Sequence, residues 1–82
     1  SASVSANSYQ DISIPASYSG YVPVAIAGWS LTGTGATKCS FSRLFLDGNT
    51  ITGRIISTYK STATPTVVIY VLYISNYLNV VG

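Results

Sequence analysis

Histidine, glutamate and methionine are missing from this sequence, cysteine occurs once, and only Asp11 and Asp47 carry carboxylates. Each gap removes a class of chemistry. Without histidine, a Ser–His–Asp or Cys–His nucleophile has no base. Cys39 has no partner for an intramolecular disulfide, and no zinc site can be built without histidine or further cysteines. No metal and no cofactor are therefore expected, and Cys39 reads as a small buried hydrophobe. Paired-carboxylate hydrolysis needs two suitably spaced acids. Asp47 instead reads as the opening residue of a turn and Asp11 as a solvated strand residue. The expected protein is not an enzyme.

Charge is equally scarce. Charged residues make up 7% of the chain, against about 25% in an ordinary soluble domain. The net charge of +2 comes from Lys38, Arg43, Arg54 and Lys60, which are scattered rather than gathered on one face, so no nucleic acid is expected as partner. Gly28 and Gly33 have the spacing of a phosphate loop, but Thr34 stands where its lysine belongs, and Gly33-Thr34-Gly35 lacks the third glycine of a dinucleotide fingerprint. The longest apolar run, residues 67–74, is far short of the roughly 20 residues of a membrane span. The Ser/Ala-rich lead-in has neither the basic nor the apolar region of a signal peptide. With no initiator methionine, it reads as the start of a piece excised from a longer chain.

What is present is apolar. Hydrophobic residues are 48% of the 82 residues, and mean hydropathy is +0.41. A monomer of this mass exposes roughly 4,700 Å² and hides only about 60–65% of its chain surface. The excess must stay outside, as it does at interfaces. Association with copies of itself is the expected remedy, in place of the disulfides that stabilise many small domains.

Valine, isoleucine, threonine and tyrosine dominate, and no window shows helical amphipathic spacing, so the expected class is all-β. Turn residues divide the chain into six strands, near residues 2–6, 9–14, 21–31, 39–46, 50–59 and 66–75. In the third, Val22, Val24 and Ile26 face one way, and Ala25, Ala27, Trp29 and Leu31 the other. Pro23, which cannot donate to a ladder, marks an edge or a bulge there. Trp29 is expected in the core. Gly48-Asn49 suits a two-residue turn with glycine at the positive-φ position. That register pairs Leu46 with Ile51 and puts Leu44 and Ile55 on one face. It also sets Arg43 opposite Arg54, flanked by Phe41, Phe45 and Thr52, although like charges across a ladder destabilise it. Either a three-residue Asp47-Gly48-Asn49 loop shifts the register, or an anion or carboxylate offsets the two guanidinium groups.

The last strand is apolar on both sides. Val67, Ile69, Val71 and Tyr73 face one way, and Val68, Tyr70, Leu72 and Ile74 the other. A strand with one wet face should alternate apolar and polar. One of these faces can fill the chain's own core, and the other needs cover from a second subunit, so all eight are interface candidates. For ligand binding the candidates are Tyr18 and Tyr59, which lie near loops where an amphipathic ring can meet a partner, and the Arg43–Arg54 pair, which could hold an acidic sugar or phosphate.

The order of motifs carries a resemblance. Gly20-Tyr21-Val22-Pro23-Val24-Ala25-Ile26-Ala27-Gly28-Trp29, then Gly33-Thr34-Gly35, then Arg43-Leu44-Phe45-Leu46-Asp47-Gly48-Asn49-Thr50, and Tyr70-Val71-Leu72-Tyr73 resemble the C-terminal tip domains of phage tail-fibre and baseplate proteins from Gram-positive gut bacteria. The resemblance spans residues 5–74 and rests on strand patterns and turn residues. It implies a single small antiparallel β-sandwich of jelly-roll type, homotrimeric, on the virion surface, where it contacts a host glycan or protein. Residues 1–8 would then be a lead-in and residues 75–82 an extension beyond the expected end, serving as an extra strand or a swapped tail. A purely structural trimerisation module and a bacterial adhesin or carbohydrate-binding module are the other readings.

Overall fold

The structure, a computed structural model, describes residues 1–76. It is all-β, with five strands in two antiparallel sheets: β1 (Tyr9–Pro15), β2 (Tyr21–Thr34), β3 (Cys39–Asp47), β4 (Thr50–Ser57) and β5 (Thr64–Ser75). One sheet has the order β1-β4-β3 and the other pairs β2 with β5. A 3-10 turn, Ala36–Lys38, carries the chain from β2 into β3. The strand count is five rather than six, because residues 2–6 make no ladder. That segment is held by one isolated bridge, Val4 to Ala63, and by a bond from the Ala2 amide to the Pro65 carbonyl. Of the extension, only Ser75 and Asn76 fall within the described residues.

The β3–β4 hairpin follows from its turn. Gly48 has φ 61° and no positive φ occurs at Asn49, so the two-residue turn forms and Leu46 lies opposite Ile51. Along β4 the burial then alternates: Ile51, Gly53, Ile55 and Ser57 are buried, while the residues between them are not. Leu44 and Ile55 share the inner face, as the pattern requires.

Bulges change the other assignments. The register of β2 on β5 slips between Pro23 and Ala25 and again between Ile26 and Gly28. Each extra residue inverts the side-chain phase of the strand beyond it. Val24 and Ala27 are the bulged residues, both exposed. As a result Ile26, opposite Val71, shares the face of Trp29, opposite Ile69, and not that of Val22. A third slip, between Phe41 and Arg43, turns Phe41 inward, where its ring meets Trp29 edge-on with centroids 5.0 Å apart. Trp29 is not a core residue; 47% of it remains exposed.

The core is small. Val4, Ile55 and Ala63 are wholly buried, with Ile12, Leu31, Phe41, Tyr59 and Val67 packed around them. The molecule measures 53 × 18 × 16 Å and exposes 5220 Å², more than the roughly 4,700 Å² usual for its mass.

Candidate functional site

The outer faces of the two sheets differ in chemistry. No charged residue occurs in β2 or β5. Their outer face carries Val68, Tyr70, Leu72 and Ile74, exposed by 38%, 59%, 55% and 36%. Val22, Ala25, Gly28 and Ser30 lie opposite them on β2, and the Tyr70 ring lies over Gly28, its Cδ2 3.8 Å from where a Cβ would stand. The alternate residues Val67, Ile69, Val71 and Tyr73 are half-buried and turn inward. The eight interface candidates therefore divide in two, and only the outer four stand bare.

The charges gather on the other sheet. The registers of β1 and β3 on β4 line up Asp11, Arg54 and Arg43 in one row across three strands, with Ser13, Thr52 and Phe45 in the next row on the same face. The register that opposes the two arginines is thus the real one, and a carboxylate offsets them. Asp11 is not simply a solvated strand residue. Nε and Nη2 of Arg54 donate to its two oxygens at 2.7 and 3.2 Å, a bidentate fork. Nη2 of Arg43 approaches Oδ1 at 3.6 Å. The Arg54 guanidinium also lies 4.1 Å from the centre of the Tyr9 ring, a cation–π distance.

The hydrogen bond from Arg54 is the main cause that holds the Asp11 carboxyl below its ordinary value, with smaller help from the charges of Arg54 and Arg43. Because the folded pKa is depressed, the stabilisation is complete above the ordinary aspartate value of about 3.9 and is lost as pH falls through the folded value. Asp11→Asn is therefore expected to lower the urea midpoint at neutral pH and low salt. The difference from wild type should shrink at high salt and vanish as the pH is taken below the folded value; a pH-independent difference would mean that packing, not charge, is responsible.

Beside this row is a shallow depression of about 350 Å³ lined by Asp11, Ile12, Arg43, Phe45, Thr52 and Gly53. Phe45 is 49% exposed, and Oγ1 of Thr52 is shut off from solvent with no partner among the described residues.

The two tyrosine candidates lie elsewhere. Tyr18 stacks on Tyr21, centroids 5.1 Å apart, and meets Tyr73 edge-on, while the Tyr73 hydroxyl donates to the Ala16 carbonyl at 2.7 Å. Tyr59 is half-buried against the core. Its ring lies over Gly35, whose φ of 74° and lack of a side chain make room for it. Arg54 takes Tyr9 as its aromatic neighbour instead, a residue that sequence reasoning passed over because the β1–β4 pairing spans more than forty residues. The alternation of Tyr9, Asp11 and Ser13 was its only trace.

Among the described residues no helix is long and apolar enough to cross a membrane. No protein-family model, curated protein or solved structure matches the chain.

Proposed function

We propose that this domain is an assembly and attachment module of the kind found at phage fibre tips, a non-catalytic β-sandwich whose copies associate with one another and present a surface to the host cell. The observation that carries this reading is the segregation of charge: an uncharged sheet with an apolar outer row, and a second sheet bearing Asp11, Arg43, Asp47 and Arg54. Covering the exposed parts of Val68, Leu72 and Ile74, which are 38%, 55% and 36% exposed, against a second copy would gain about 0.5–1.7 kcal/mol each, together a large share of what so small a core can supply. The charged sheet then remains wet and available on a virion surface. Three copies is the number that the resemblance implies.

A non-catalytic role suits the carboxylates. Asp11 is clamped by Arg54, and Asp47 lies four ladder rows away along β4. That is roughly 13 Å along the strand, beyond the about 5–9.5 Å that glycoside hydrolysis uses.

Native mass spectrometry of the purified domain at micromolar concentration tests the reading. A closed oligomer, with three copies expected, supports it. A stable monomer removes its basis.

A further inference from the structure

We propose that the depression beside Arg43 binds the carboxylate of an acidic sugar, with Arg43 as the anion-binding residue and Phe45 as the platform for the sugar ring. This rests on the reading of the domain as a surface-binding module and names the class of ligand it would take.

The two arginines are not equivalent. Both forked donors that Arg54 turns toward Asp11 are engaged, and its face is stacked on Tyr9. Arg43 approaches the same carboxylate with one nitrogen at 3.6 Å, longer than a hydrogen bond. Its side chain is 55% exposed. The row holds two guanidinium charges and one carboxylate, so one positive charge is left, on the residue whose planar donor fork is uncommitted. Such a fork matches a carboxylate or phosphate edge-on.

Charge selects between them. A carboxylate brings the single negative charge that the row lacks. A phosphate monoester carries close to two at neutral pH and would have to sit beside Asp11, which is held ionised by Arg54.

The rest of the depression suits a ring. Phe45 offers half its surface one row from Arg43 on the same strand face. Thr52, beside it in that row, lines the depression, but its Oγ1 is shut off from solvent and so is not one of the groups that an incoming sugar meets. An exposed aromatic face next to an exposed guanidinium donor suits an amphipathic acidic sugar, whose apolar ring face and carboxylate lie side by side. A volume of about 350 Å³ lies at the lower end of small-molecule sites. Lys38 and Lys60 belong to the 3-10 turn and to the loop before β5, so no basic track extends the site toward a polyanion.

Amide NMR titration of the whole domain with glucuronate, glucose, glucose 6-phosphate and acetate tests the proposal. Glucuronate should shift the Arg43, Phe45 and Thr52 resonances saturably, with glucose without effect. Arg43→Gln, which relieves a like-charge pair and so should not unfold the sheet, is expected to weaken binding about tenfold or more, the worth of a charge-assisted hydrogen bond. Phe45→Leu should weaken glucuronate and leave acetate unchanged. Absence of shifts, binding that survives Arg43→Gln, acetate as good as glucuronate, or tighter binding of glucose 6-phosphate each overturns the assignment. Failure here with a closed oligomer in native mass spectrometry sinks the ligand alone; binding by a monomer sinks the assembly alone.

Discussion

Ile55→Ala is expected to destabilise the domain by about 2–5 kcal/mol, the usual cost of emptying a fully buried isoleucine site. Ile55 is the largest side chain with no exposure, and only Val4 and Ala63 share that degree of burial in the core cluster. At roughly 0.05–0.15 kcal/mol per residue, an 82-residue chain has about 4–12 kcal/mol in all. A single truncation therefore removes between a sixth of the stability and the whole of it. The neighbouring residue is the control. Ile56 sits on the outer face of the same strand and is 40% exposed, so Ile56→Ala removes less buried surface, leaves no enclosed cavity and should cost clearly less. Urea midpoints at one fixed protein concentration give the comparison, because the proposed assembly would make stability concentration-dependent. Equal losses at the two positions would mean that the inner face of β4 is not the core.

On the proposed assembly, Leu72→Glu is expected to convert the oligomer into a monomer. The side chain stands 55% exposed at the middle of the bare row on β5, facing Ala25 across the ladder. Covering the half of Leu72 that is still exposed is worth about 0.8–1.7 kcal/mol, or roughly a fourfold to fifteenfold change in association constant for each copy, and a glutamate there adds the larger penalty of an unpaired charge at an apolar interface. Because the position is wet in the single chain, the fold itself should be little affected. Ser40→Glu, on the outer face of the charged sheet opposite Ile56, should leave the oligomer intact. An unchanged mass distribution for Leu72→Glu would place the contact between copies somewhere other than this face.

The features that were legible from sequence are those written locally. Glycine at residue 48 selects the hairpin turn, and the turn sets the register of Leu46 on Ile51 and of Arg43 on Arg54. The alternation in β5 sorts its eight apolar residues into an inner and an outer set. What was not legible is non-local. Val4 and Ala63 sit in a Ser/Ala lead-in and a Ser/Thr loop, where one apolar residue makes no period, yet together they supply two of the three wholly buried side chains at the centre of the core. Pro23 hinted at one bulge in β2. Nothing comparable marked Ala27 or Ser42, and each slip sent the residues beyond it to the opposite face. Asp11 has no local signal either, since its partner lies forty-three residues on.

Composition and short-range pattern were enough to require an all-β chain with an apolar excess and one strand greasy on both sides, because side-chain alternation and turn chemistry are set by near neighbours. Which strands pair, which of the two arginines keeps its donors, and which apolar row is left bare were decided only when distant segments packed. Those choices depend on mutual burial across the fold, and no window of residues contains both sides of such a contact.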